Sequence, residues 1–144
     1  MKYNYQILIE YEGTKYFGWQ IQKKRPTIQG VLQSALRKYF KKKITIFGAG
    51  RTDTGVHACA QSAHFFLDTV IEKKFKFINT INFFLKKKDV SILDIKKKKL
   101  NFHSRFDAKE RIYEYCITNR LGSLSIDKNK AWHIKKKLDV KMLQ

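Results

Sequence analysis

A change of repeat limits what this chain can fold into. Tyr5, Ile7, Ile9 and Tyr11 alternate with polar or exposed positions, the two-residue repeat of a strand with one buried face. From Thr27 the repeat changes: Ile28, Val31, Leu32, Ala35, Leu36, Tyr39 and Phe40 fall at helical spacing. Thr27 is placed as the N-cap with Pro26 before it, and Lys41, Lys42 and Lys43 close the helix where positive charge suits its dipole. The same reading gives short strands at 44–47 and 61–67. It then gives a second helix marked by Ile71, Phe75, Ile78, Ile81 and Leu85, and strands at 90–95, 111–118 and 130–134. The order β-α-β-β-α-β, with strands added after it, predicts an α+β fold. It is the ferredoxin-like split βαβ arrangement, a mostly antiparallel sheet with helices on one face. No repeat or linker interrupts residues 1–144, so a single domain is expected.

Composition enters when partners are considered. The formal net charge is +19, and at that density a polyanion, most commonly nucleic acid, is the first partner to consider. Lysine supplies 25 of the 31 basic residues, and AT-rich codons alone produce such an excess, so charge suggests RNA or DNA without deciding it. The lysine runs at 41–43, 86–88, 96–99 and 135–137 are placed at element ends, as a solvated rim or a phosphate-gripping one. Cys59 and Cys116 make neither a disulfide framework nor a CxxC pair, which implies a reduced, cytoplasmic compartment. The opening MKYNYQILIEYEG reads as a strand, not a signal peptide, and no apolar run approaches bilayer length. No membrane partner is expected.

The stretch GAGRTDTGVHA, Gly48 to Ala58, holds one carboxylate, Asp53, with Arg51 two positions before it. It fails as a dinucleotide loop, because Asp53 stands where a third glycine is needed. It fails as a P-loop, because it ends Thr54-Gly55-Val56 in place of Gly-Lys-Ser/Thr. No spacing among His57, Cys59, His64, His103 and Cys116 matches a zinc pattern, and no metal is expected. His64, on a strand, reads as a packing or hydrogen-bonding residue. No Ser-His-Asp triad and no second acid for a glycosidase pair stand out. Two readings of Asp53 remain: a turn residue bonding its own backbone, or a carboxylate kept ionised by the Arg51 guanidinium and presented as nucleophile or base.

The stretch GRTDTGVHA resembles the catalytic loop of the tRNA pseudouridine synthase A (TruA) family. Other stretches resemble the same family in its order. They are EYEGTKYFGWQIQ at 10–22, Thr27-Ile28-Gln29 at the first helix, Gln61-Ser62-Ala63-His64-Phe65 after the loop, and FHSRFDAKERIYEY at 102–115. The resemblance implies isomerisation of uridine to pseudouridine in the anticodon stem-loop of tRNA, at uridines 38–40, with no cofactor or metal. The residue matching Asp53 would be the catalytic group. The residue matching Arg51 would pair with it and help hold the target nucleotide out of the stack. The residue matching Tyr113 would stack on the uracil, and that matching Arg105 would touch RNA backbone. The family is homodimeric. Read from the residues alone, Tyr113 would sit on the 111–118 strand, with Tyr115 and Ile117 on the same face and partly in the core.

The family chain is much longer, with two similar halves. The resemblance covers nearly all of this sequence but only the first half of the family fold, and AWHIKKKLDVKM at 131–142 looks like the way into the second. A truncated RNA-binding remnant without activity, a separately encoded C-terminal half, and self-association are the alternatives that follow. Lys86 also stands where the family carries a proline after the leucine.

Overall fold

The computed structural model describes residues 1–143, which fall into two compact units, Met1–Lys109 and a second beginning at Glu110. The first unit contains β1 (Tyr3–Tyr11), α1 (Ile28–Phe40), β2 (Ile46–Gly48), β3 (Ala58–Leu67), α2 (Lys74–Leu85) and β4 (Val90–Lys98). Its sheet is antiparallel throughout, in the order β2-β3-β1-β4. The fold is the expected α+β arrangement.

Alternation along β1 and β3 sends Tyr5, Ile7, Ile9, Tyr11, Ala63, Phe65 and Leu67 to one face, where all are buried. Ile28, Leu32 and Leu36 of α1 and Phe77, Ile81 and Leu85 of α2 close the same core. Each such side chain contributes ~1.5–3 kcal/mol on full burial, so the face that meets the helices fixes the strand register. The opposite face carries Asn4, Gln6, His64, Phe66 and Phe47, the last two packed on His64. The first helix begins and ends where the sequence puts it: Thr27 Oγ accepts the Gly30 N–H at 3.3 Å, and Lys41 takes a left-handed C-cap.

Three expectations need correction. Phe75 is 80 % exposed while Phe77 is fully buried. KFKFINTINFFL offers two apolar stripes, and a helix that starts at Lys74 buries the one through Phe77, Ile81 and Leu85. The strand expected at 90–95 runs on to Lys98, with Lys96, Lys97 and Lys98 paired with Gln6, Tyr5 and Asn4, so that lysine run forms the end of β4. There β4 is an edge strand, and lysines on an edge discourage further pairing.

The third correction lies in the second unit, which holds β5 (Ile117–Asn119), β6 (Trp132–Ile134) and a 3₁₀ turn at Val140–Leu143. The strand expected at 111–118 is reduced to Ile117–Asn119, paired in parallel with β6. Tyr113 and Tyr115 precede it, outside regular structure and 68 % and 90 % exposed. Alternation alone does not make a strand, since a ladder needs a partner for its N–H and C=O groups.

Candidate active site

Asp53 lies between β2 and β3, in a loop that the segment after β1 clamps from below. Gly18 has φ +78, and a Cβ there would stand 2.4 Å from the Thr52 carbonyl oxygen and 3.4 Å from the Asp53 Cα. Only glycine fits so close a backbone approach in that conformation. The Trp19 N–H donates to the Thr52 carbonyl at 3.0 Å, and the Gly55 N–H to the Tyr16 carbonyl at 3.2 Å. At Gly13 a Cβ would meet the Val56 carbonyl oxygen at 2.0 Å. The loop closes on itself through Val56 N–H to the Asp53 carbonyl at 3.2 Å, with Gly55 at φ +80, the pattern of a type II turn. The Gln61 amide donates to the Gly50 carbonyl at 2.7 Å, and the Ala49 N–H to Ser62 at 2.7 Å.

The clamp is in turn tied to the fold. Gly18 and Trp19 carbonyls accept the Ile28 and Gln29 N–H groups at the open end of α1. Buried Gln29 accepts the Ile21 N–H at 3.0 Å and donates to the Ile46 carbonyl at 2.8 Å, joining helix, clamp and β2. Tyr11 hydroxyl and Thr52 Oγ1 are 2.9 Å apart, and burial raises the Tyr11 phenol above its ordinary value. It therefore holds the loop as a neutral group. The Gly13 N–H donates to His57 Nδ1 at 3.0 Å, and a Glu12 carboxylate oxygen approaches the same nitrogen at 3.4 Å.

The backbone of Asp53 is thus fixed while its side chain is exposed. Asp68, Asp89 and Asp94 each pair with a lysine. Among the described residues, the Asp53 carboxylate has no hydrogen bond or ion pair. The pairing with Arg51 that the sequence suggested is not formed, and both side chains are exposed. An exposed pair gains only ~0–1 kcal/mol against the entropy of holding a long guanidinium.

Arg105 follows β4 in a tight turn, and its backbone N–H meets His103 Nδ1 at 3.2 Å. That turn is fastened to β3 and β1 by residues that spacing does not reveal. Ser104 N–H and hydroxyl meet His64 Nδ1 at 3.2 and 3.0 Å. The Asn4 amide donates to the Phe102 carbonyl at 2.8 Å. Burial, and next the neighbouring His103, push His64 down to about 4, so it is neutral at pH 7 and accepts at Nδ1. His64 is the packing and hydrogen-bonding residue its strand position suggested. Tyr113 belongs to the second unit. Spacing places Tyr11 on a strand but gives it no part at the loop, and it gives none to Thr52 or Ser104, since partners 40 or more residues apart leave no local signal.

The family profile described as tRNA pseudouridine synthase matches residues 7–107. The chain belongs to the tRNA pseudouridine synthase family. It is 49 % identical over 142 residues to tRNA pseudouridine synthase A of Pelagibacter ubique, covering 99 % of this chain and 58 % of that protein. It is 43 % identical over 137 residues to the protein of that name from Ehrlichia ruminantium (94 % and 55 %). It is 39 % identical over 140 residues to that of Neorickettsia sennetsu (97 % and 58 %). The chain therefore spans little more than half the length of the TruA relatives it matches. The profile match takes in Arg51, Asp53 and Arg105 and stops short of Tyr113. Among the described residues, no helix is long and apolar enough to cross a membrane.

Proposed function

We propose that this chain is the catalytic half of a tRNA pseudouridine synthase, isomerising uridine to pseudouridine at positions 38–40 of the anticodon stem-loop, with Asp53 as the catalytic group. What carries the reading is an unpaired carboxylate on a locked backbone, in a chain of net charge +19 that belongs to this family. Placing a reacting group in advance lowers the barrier that positioning would otherwise impose. The bond between N1 of uracil and C1′ of the ribose breaks, the base turns, and C5 bonds to C1′ while the C5 proton leaves to solvent and N1 takes up a proton. Atoms balance without an oxidant or a second substrate.

A carboxylate in a surface loop reaches only a nucleotide turned out of its stack. Arg51, on the same loop, would take the space the nucleotide leaves, Arg105 would contact RNA phosphate, and Tyr113 would stack on the extruded uracil. The chain would act in the cytoplasm.

The test is tritium release from unmodified tRNA labelled at uracil C5. Release by the wild-type chain and none by Asp53→Ala supports the reading. The net charge of +19 would serve one other reading equally, an RNA-binding chain without turnover. Tight, salt-sensitive tRNA binding with no release would establish that one in place of catalysis.

A further inference from the structure

The face of the sheet away from the helices carries a feature that the proposed reaction does not use. Phe106 is 77 % exposed, yet its backbone is fixed. Its N–H and that of Asp107 both donate to the His103 carbonyl, at 3.1 and 2.9 Å, and the Asp107 carboxylate accepts the His103 N–H at 2.8 Å. The Phe106 ring lies over His103, with centroids 4.3 Å apart and planes 32° apart. His103 meets buried His64 edge-on at 4.6 Å, and His64 stacks on Phe47 at 5.1 Å. Phe47 is itself 40 % exposed. A phenyl ring left in water by a well-bonded turn returns little of the ~1.5–3 kcal/mol that its burial would contribute. A ring supported behind and open in front is instead what a nucleobase stacks on.

Charge points to the same occupant. Lys98 Nζ lies 5.0 Å from the Phe102 ring and Lys2 Nζ 4.3 Å from the Phe66 ring, so cations border the aromatic cluster. The Asp107 carboxylate, beside Phe106 in the chain, disfavours a phosphate directly on the ring and leaves a neutral base as the better fit. Aromatics on the open face of a four-stranded antiparallel sheet are also how RNA recognition motifs bind unpaired bases. We propose that Phe106, backed by His103 and Phe47, is a stacking platform for an unpaired nucleobase of bound RNA, a second base position apart from the one Asp53 acts on. The proposal rests on RNA being the ligand of this chain, and it does not require turnover.

The experiment measures binding of the full chain to a short single-stranded RNA and to the same backbone with abasic sugars. Phe106→Ala should weaken binding of the base-containing strand by about fivefold to a hundredfold, the usual cost of one stacked base, and leave the abasic strand unchanged. Phe106→Tyr should keep wild-type affinity. Phe106→Leu, which keeps apolar bulk but has no aromatic face, should behave like the alanine variant, so the result does not depend on one variant folding. Equal affinities for wild type and Phe106→Leu on the base-containing strand would overturn the platform. So would a Phe106→Ala variant that dissociates a dimer without changing RNA affinity, since the ring would then face a second copy. Tritium release separates this from catalysis: a platform result without release sinks only the enzyme, and release with unchanged affinities sinks only the platform.

Discussion

Asp53 and Tyr113 are both exposed side chains, but the backbone beneath them is held in different ways. The loop around Asp53 accepts or donates through Thr52, Gly55, Ala49 and Gly50, and it rests on Gly13 and Gly18 with no room for a side chain. The segment 110–116 has no regular secondary structure, and its side chains are exposed. On the proposed reading, the first arrangement would place the reacting group before RNA arrives, with its ordering entropy already spent in folding. The second would leave its aromatic ring to be ordered by the ligand. Mutations at the two places should therefore split cleanly between fold and binding.

The largest effect is expected at Gly18. Gly18→Ala puts a methyl 2.4 Å from the Thr52 oxygen at φ +78. The left-handed conformation alone costs a non-glycine residue ~1–2 kcal/mol, and the clash must move backbone against backbone. We expect at least ~3 kcal/mol of lost stability in urea titration, and any turnover that remains to fall on the order of 100-fold as Asp53 shifts. Gly122→Ala is the matched control in the second unit, where nothing lies within 4 Å of the added atom; it should change stability by less than ~0.5 kcal/mol. Equal effects at the two glycines would remove the contrast.

A smaller loss should come with pH, through the joint that fastens the Arg105 turn to the sheet. His64 is held near 4 in the folded chain against 6.5 when exposed. Between those values the unfolded chain binds the proton more readily, so stability rises with pH across the window. The contribution is complete above pH 6.5 and is lost as pH falls toward 4, by about 3 kcal/mol in all. His103 and Asp107 face the same ring and pull in opposite directions, so the comparison is with His64→Asn, measured by urea unfolding at pH 4.5 and 7. A pH slope in that variant as steep as in wild type would take the effect away from His64.

How much of this was legible depended on the range of the interactions. The first helix was readable to the residue because Thr27, the apolar stripe and the closing lysines are local signals. The loop could be read as presenting an acid because what it lacks, a third glycine or a Gly-Lys-Ser/Thr end, is also local. The clamp was not readable. Gly18 against Thr52 and Ser104 against His64 join residues 34 and 40 apart, and no repeat in the sequence encodes those meetings. The second helix misled because its composition is apolar on more than one side, so packing and not periodicity chose Phe77 over Phe75. Tyr113 misled for the opposite reason: perfect alternation without a neighbouring strand to pair with.

Two hydroxyl and ring deletions bring the comparison to its finest scale. Tyr11→Phe removes the one hydroxyl that meets Thr52 Oγ1 from the core side. It should cost ~1 kcal/mol, the usual net worth of one such bond, seen as a lower urea midpoint with an unchanged slope. Tyr113→Ala should cost least of all in stability, under ~0.5 kcal/mol, because a ring that is 68 % exposed has little burial to lose. The same variant should weaken tRNA binding by about fivefold or more if the ring stacks on a base only in the complex. This pair of measurements bears directly on the contrast with Asp53. A Tyr113→Ala chain destabilised by more than ~1 kcal/mol would mean that the ring is already engaged before RNA arrives. An undamaged chain with weakened binding would mean that folding prepares the acid and leaves the stacking ring to be ordered by the RNA.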